Sequence, residues 1–402
     1  MPAHLRSAAL PRFVLLYGAI YAAFGVASPF FPAFLGSRGL TAGELGITLA
    51  VGTALRLVAA PVAARLGDVL QAQRLVLVVS AAFAALITLG LLPASGFWPL
   101  FVLGSFHAAV LAPITVLSDA LAIVQARPAP GNQGFEYGWV RGTGSAAFVT
   151  AMLIAGYAVN ELGLTVIITL QTALLVVTAV SAAVVPRSYR DHREPPHEGH
   201  RRAGAADLAA LLRCPPFRTL VLAAALVLGS HAMHDAFAVI RWTGAGIGPR
   251  TASVLWSASV LSEVLVFFVV GPAMLARLGP AAGILLAATA GVVRWAVLAL
   301  TPRVFLLALV EPLHGFTFAL FHLSAMRLLT RIAPRRLQAT ALALYGTLGV
   351  GASTALLTLA SGGLYARIGA HGFWVMASLA ASAIPLTSRL RDQRLRQVAA
   401  LA

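Results

Sequence analysis

Residues 98–124 read WPLFVLGSFHAAVLAPITVLSDALAIV, a run whose one acid is Asp119, close to its end. As a helix with ~1.5 Å rise per residue it would be ~40 Å long, more than the ~30 Å of bilayer hydrocarbon. An apolar stretch of that length reads as a transmembrane helix. Eleven similar runs accompany it, at 13–35, 43–64, 75–92, 136–158, 163–185, 217–240, 250–275, 280–300, 303–329, 337–361 and 369–387. The first exceeds twenty residues and lacks a small-x-small cleavage site, so it is expected to stay in the chain as a helix.

Composition points the same way. Of 402 residues 59% are hydrophobic and only 10% charged, with a mean hydropathy of +0.87. A soluble domain of this length needs far more charge to cover its surface. The formal net charge of +16 would suggest nucleic acid in a soluble protein. Here the basic residues sit in short loops between apolar runs, so topology explains them. All 29 are arginine. Without lysine there is no Walker-A lysine for a P-loop and no Schiff base with pyridoxal or retinal. The single cysteine, Cys214, excludes an internal disulfide, a cysteine zinc site and an iron–sulfur cluster.

The arginines also set an orientation. Arg56 and Arg294 lie within runs, and Arg38, Arg241, Arg250, Arg303 and Arg367 fall on one side. The remaining 22 of the 29 fall on the other, which the positive-inside rule makes cytoplasmic. Both termini are then expected in the cytoplasm.

The only long polar stretch is 186–216, rich in arginine and acids and containing Pro195 and Pro196. Its charge and prolines suit a cytoplasmic linker. The expected plan is a six-helix bundle over 1–186, a linker over 187–216 and a second bundle over 217–402 with a short basic tail. The halves echo each other. Ala64-Arg65-Leu66-Gly67 closes the second run and Ala276-Arg277-Leu278-Gly279 the eighth. Tyr137-Gly138, followed by Gly142, Gly144, Ser145 and Ala146, opens the fifth; Tyr345-Gly346, followed by Gly349, Gly351, Ala352 and Ser353, opens the eleventh. Matches at equivalent runs argue for a parallel repeat of six helices, with small residues that let helices approach closely.

With these features the chain resembles the major facilitator superfamily of secondary transporters. The loop Arg65-Leu66-Gly67-Asp68 with Arg74 is similar to the superfamily's signature loop, although Val69 replaces a usual basic residue and Pro280 stands where the second half could carry an acid. Along most of its length the chain resembles the phenylpropionate-permease group, related to the lactose and nucleoside proton symporters. The similar stretches include Ser118-Asp119-Ala120-Leu121, Tyr137-Gly138 to Arg141 and Gly229-Ser230-His231-Ala232. Others are Leu261-Ser262-Glu263-Val264, Gly291-Val292-Val293-Arg294-Trp295, His322-Leu323-Ser324-Ala325-Met326-Arg327 and Gly372-Phe373-Trp374-Val375-Met376-Ala377. The resemblance implies an all-α fold of twelve transmembrane helices in two six-helix bundles related by pseudo-two-fold symmetry. It also implies a proton-driven importer, with aromatic acids as the first substrate guess.

An ionisable side chain at bilayer depth costs several kcal/mol unless it is paired or lines a watery cavity. Such residues concentrate in the second half. Glu311, His314 and His322 of the tenth run fall within ~80° on an ideal helix. Glu263 lies in the eighth run, Arg294 in the ninth, and His231, His234 and Asp235 on one face of the seventh. Pairing with Arg294 would hold a carboxylate charged, and breaking the pair would favour its protonated form, so alternation between the two could move protons. Glu263, Arg294, Glu311, His314, His231 and Asp235 are therefore the expected proton-coupling set. Lactose-type symporters resemble this in placing an acid and a histidine one turn apart near an arginine, with the acid and histidine in the reverse order. The alternative is a static Glu263–Arg294 salt bridge, with His322 a packing residue and His234 and Asp235 interfacial.

In the first half Arg56 has no acid within a turn and lies ~13 Å along the helix from the cytoplasmic end. It suits a substrate carboxylate, or an acid on another helix. Tyr21, Phe24, Trp256 and Phe316 are expected beside it as substrate contacts, with packing as the other role; Phe30, Phe31 and Trp139 are further aromatics of this kind. Asp119 and Arg141, with Asp68 and Arg74, are expected to gate the cytoplasmic end.

Neither the paired Asp-rich motifs nor the HExxH of a membrane enzyme occurs. A channel would not predict matching halves, and a non-transporting sensor usually carries an extra signalling domain. A proton-antiport exporter of drugs or metabolites is the rival within transport. Such exporters often carry an acid in the first helix or a basic motif in the fourth. Here the first run has no charge between Arg12 and Arg38, and the fourth has no arginine before Arg127. The expected partners are a small organic solute, protons and the lipid bilayer, with no cofactor, metal or nucleic acid, the chain acting as a monomer. The all-arginine, alanine-rich composition suggests a bacterial cytoplasmic membrane.

Overall fold

The computed structural model describes residues 9–127, 134–186 and 204–392. All regular structure among them is helical. Contacts divide the chain into two compact units, Met1–Asp191 with Gly246–Val254, and His192–Ala245 with Leu255–Ala402.

In the first unit the long helices are α1 (Leu10–Ala27), α2 (Ala42–Val69), α3 (Gln73–Gly90), α4 (Phe97–Ala126), α5 (Tyr137–Leu162) and α6 (Val166–Val184). The second contains α7 (Pro215–Gly244), most of α8 (Pro249–Leu278), α9 (Pro280–Leu300), α10 (Val304–Ile332), α11 (338–368) and α12 (Gly372–Asp392). Among the described residues eleven segments are long and apolar enough to cross a membrane, and the last, Arg335–Leu390, holds both α11 and α12. They part at Gly369, whose φ of +54° lies where a side chain is disfavoured. The twelve runs read from the sequence thus each become a helix.

One run differs in shape. The expected continuous helix over 13–35 ends at Ala27 and restarts as a short helix, Phe31–Ser37. Pro29 has no N–H to continue the ladder, and Pro32 suits the first turn of the next helix. Of the polar stretch 186–216, residues 187–203 lie outside the described residues. The rest includes a helix, Ala205–Arg213.

The two units share a packing pattern. In the first, α1 packs on α5 and α6, α2 on α4, and α3 on α4 and α6. In the second, α7 packs on α11 and α12, α8 on α10, and α9 on α10 and α12. Each pairing is the other moved on by six helices, as a parallel repeat requires. Some glycines singled out by the repeat make its close approaches. A Cβ on Gly144 would lie 2.7 Å from the Tyr21 ring of α1, and one on Gly349 would lie 3.2 Å from Ala224 of α7. Gly138, Gly142 and Gly346 face open space.

Several second-unit helices are irregular. α8 widens to a π-turn at Val266–Val270, because Pro272 has no N–H for the carbonyl of Phe268. α10 tightens to a 3₁₀ turn at Glu311–Leu313 and then widens at Gly315–Leu320. Pro312 is the cause of the first change, leaving the Ala308 carbonyl without its helical partner. The ~80° arc predicted for Glu311, His314 and His322 assumed regular winding, which α10 does not have.

Candidate functional site

The centre of the second unit is an ion pair withdrawn from solvent. Arg294 on α9 and Glu311 on α10 are both 0% exposed, and Arg294 Nη2 donates to Glu311 Oε2 at 2.6 Å. Ser259 of α8 donates to the same oxygen at 2.7 Å. His234 Nε2 stands 3.2 Å from Glu311 Oε1. The guanidinium also packs over the Trp295 ring, 4.7 Å from its centre.

Arginine has donors only, so its second bond fixes a tautomer. Arg294 Nη1 lies 3.0 Å from His314 Nδ1, which must therefore accept. The ring proton of neutral His314 then sits on Nε2, which faces Glu263 Oε2 at 3.4 Å. Glu263 and His314 are partly exposed, at 26% and 18%. The carboxylate on Arg294 is thus Glu311, while Glu263 pairs with His314. His231 is fixed in the same way. Its Nδ1 faces the carbonyls of Val227 and Leu228 at 3.1 Å, so Nε2 accepts from the Thr317 hydroxyl at 2.9 Å.

Asp235 is largely exposed, with Oδ1 3.4 Å from His234 Nδ1. His322 lies among the rings of Phe267, Phe318 and Tyr345. Trp256 covers His234, ring centres 4.7 Å apart, and Phe316 packs in the apolar contact of α8 with α10. The broken backbone of α10 is stitched to α8: Ser259 also lies 3.1 Å from the Glu311 carbonyl, and Gly315 N–H donates to Ser262 Oγ at 3.1 Å. A Cβ on Gly315 would lie 2.6 Å from the Ser262 carbonyl oxygen. Gly315→Ala is therefore expected to cost about 1–3 kcal/mol. Thermal unfolding of the purified variant measures this, and an unchanged transition would mean that α8 and α10 can separate freely.

The first unit has its own polar centre. Asp119 Oδ1 accepts from Tyr17 at 2.5 Å and Tyr137 at 2.8 Å, with Arg141 Nη1 at 3.9 Å. Arg141 donates to the Tyr21 hydroxyl and lies over that ring, and Phe24 meets Tyr21 edge-on. Asp119 and Arg141 are thus brought together. Asp68 instead accepts from Gln73 at 2.6 Å, and Arg74 donates to the Val185 carbonyl at 3.1 Å. Arg56 is exposed on α2, and no hydrogen bond or ion pair engages it among the described residues. Its charge is felt by His107, which stacks on Phe31 and bonds Gln171 at 3.1 Å.

Ser259, Thr317, Tyr17 and Tyr137 complete these centres; none is among the site residues read from the sequence, where Tyr137 appears only in the repeat and the family-like stretch. Spacing offered a signal for two of them: Ser259 lies four residues before Glu263, and Tyr17 four before Tyr21, one turn along the same face.

Helices of membrane length in two units of matching pattern, with an ion pair sealed inside one of them, fit a multi-pass membrane transporter. The chain belongs to the MFS_1 like family, whose model matches residues 11–376. It is 30% identical over 388 residues to the probable 3-phenylpropionic acid transporter of Escherichia coli (strain K12), covering 93% of this chain and 96% of that one. It is 27% identical over 358 residues to the maltose permease of Geobacillus stearothermophilus, covering 88% and 87%. Among solved structures, a mutant form of the nucleoside transporter NupG superposes with a TM-score of 0.82 at 15% identity, over 94% of this chain and 99% of that one. The protein is a transporter of the major facilitator type.

Proposed function

We propose that this transporter is a proton symporter importing small organic anions, aromatic carboxylic acids first among them, by alternating access. The observation that carries the proton coupling is the Arg294–Glu311 pair, fully withdrawn from solvent. Burying two charges costs several kcal/mol per ion before their attraction offsets it. Replacing such a pair with apolar residues often leaves stability unchanged, so its presence favours a role beyond packing. Arg294 Nη2, which holds Glu311, has an alternative acceptor at hand in His234 Nε2, 3.2 Å away. If it turns to that nitrogen, Glu311 is left as a lone carboxylate out of water, a state that takes up a proton. Glu263 on His314 is the second carboxylate of the set.

Arg56 supports an anionic substrate, since a guanidinium with no partner among the described residues can hold both oxygens of a carboxylate. Tyr21 and Phe24 offer ring faces, and Asp119 with Arg141 is the proposed gating pair. The name of the Escherichia coli relative makes 3-phenylpropionate the first probe. We place the protein in a bacterial cytoplasmic membrane with both termini inside, on the distribution of its arginines.

The test is uptake of labelled 3-phenylpropionate by the purified protein in liposomes under an inward proton gradient. Accumulation above equilibrium that a protonophore abolishes is the expected result. A parallel arm with maltose covers the sugar reading that the second relative suggests. Uptake of maltose alone would overturn the substrate class, and efflux driven by the gradient would reverse the direction. Arg56→Ala is expected to weaken 3-phenylpropionate binding by more than about tenfold, as loss of a charge-assisted contact should. An unchanged affinity removes Arg56 as the anchor.

A further inference from the structure

One ring in the second unit connects two carboxylates of opposite exposure. His234 Nδ1 faces Asp235 Oδ1 at 3.4 Å and His234 Nε2 faces Glu311 Oε1 at 3.2 Å. The Asp235 side chain is 58% exposed, the His234 side chain 3% and Glu311 0%. We propose that His234 relays protons between the exposed carboxylate of Asp235 and the buried carboxylate of Glu311. The relay rests on the reading of Glu311 as the proton carrier.

The surroundings of the ring suit the task. From α8 comes Trp256, at 4.7 Å between ring centres, and from α9 Trp295, at 5.8 Å; Trp242 of its own helix adds a third indole at 5.9 Å. The charged and titratable groups that face it are Asp235, Glu311 and Arg294, with His231 acting on it electrostatically and His314 beside Arg294. Indole walls leave the two ring nitrogens as its polar contacts.

Hydrogen accounting shows why this ring can switch. Nε2 lies 3.2 Å from Arg294 Nη2, which can only donate, and 3.2 Å from Glu311 Oε1, which accepts when ionised. One ring nitrogen cannot serve both. Bare, it accepts from Arg294; protonated, it donates to Glu311. The two bonding states need little movement between them.

The transfer then runs as follows. Asp235 takes a proton from solvent and passes it from its carboxylic O–H to Nδ1 of a ring carrying hydrogen on Nε2. The Nε2 proton leaves for Glu311 Oε1. Asp235 ends as a carboxylate, the ring as the Nδ1–H form and Glu311 as a carboxylic acid, so one proton has moved inward and only O–H and N–H bonds have changed. The bare Nε2 is now an acceptor for Arg294, whose attraction to the neutralised Glu311 has fallen. Before the next transfer the starting tautomer is restored by proton exchange, Nδ1 losing its proton through Asp235 and Nε2 taking one up, so the ring returns with no net change in protons.

The full-length protein in lipid nanodiscs tests this without a transported solute. After a rapid drop in pH, infrared spectroscopy follows the protonated-carboxyl stretch, and the part that Glu311→Gln removes belongs to Glu311. His234→Gln retains a donor toward Glu311 but cannot pass a proton, and Asp235→Asn removes the entry group at an exposed position where folding is safe. Both variants are expected to slow the Glu311 signal tenfold or more while keeping its final amplitude, and Asp235→Glu to restore the rate. A wild-type rate in His234→Gln and Asp235→Asn overturns the relay alone. Absence of any band sensitive to Glu311→Gln overturns the carrier reading and the relay together.

Discussion

Glu311→Gln is expected to reduce gradient-driven accumulation to the level of empty vesicles while solute exchange across the membrane continues. Glutamine keeps the shape of the side chain and can still bond Ser259, so the binding contacts survive. What it loses is the ability to be charged in one step of the cycle and neutral in another. An importer that cannot discharge its proton still equilibrates its solute but cannot concentrate it. Glu263→Gln, at the partly exposed carboxylate on His314, is the companion variant. Full uphill transport in both would leave these acids as structural groups.

Arg294→Gln separates the structural contribution of the pair from its coupling role. The substitution strands Glu311 at 0% exposure with its principal counter-charge gone. Breaking a buried pair from one side typically costs about 3–5 kcal/mol. Arg294→Gln with Glu311→Gln removes both charges and is expected to recover most of that loss, because two amides can bond each other and neither is left charged. Thermal unfolding of the two single variants and the double variant closes the cycle. Stability should return in the double variant while uphill transport does not. If the double variant were as unstable as Arg294→Gln alone, the cost would lie in lost packing over Trp295, not in charge.

The architecture was legible because membrane length is a one-dimensional property: an unbroken apolar run such as 98–124 has few other solutions in a chain of this length. Helix 1 shows the limit, since Pro29 was visible within the run 13–35 but the run's hydrophobicity carries across the break. The titratable residues stood out for the same reason, being rare charges in apolar surroundings. Their partners did not. Nothing in the spacing of Arg294 chooses between Glu263, 31 residues before it on α8, and Glu311, 17 residues after it on α10. That choice is made by how α8, α9 and α10 pack, and by Pro312, which tightens α10 into a 3₁₀ turn just where Glu311 meets Arg294. Asp68 and Arg74 illustrate the opposite case. A motif placed them with Asp119 and Arg141, yet Asp68 bonds Gln73 and Arg74 bonds the Val185 carbonyl.

The serine stitches between α8 and α10 bear on how this unit can move. Ser259 bonds Glu311 across the seam, and Ser262 receives the amide of Gly315, both at the irregular turns of α10. A slip of one helix past the other by a single residue would strip the Gly315 amide and the Glu311 carboxylate of these partners, which no lipid tail can replace. The two helices are accordingly a single lever, and any flexing during a working cycle must fall at joints beyond that seam.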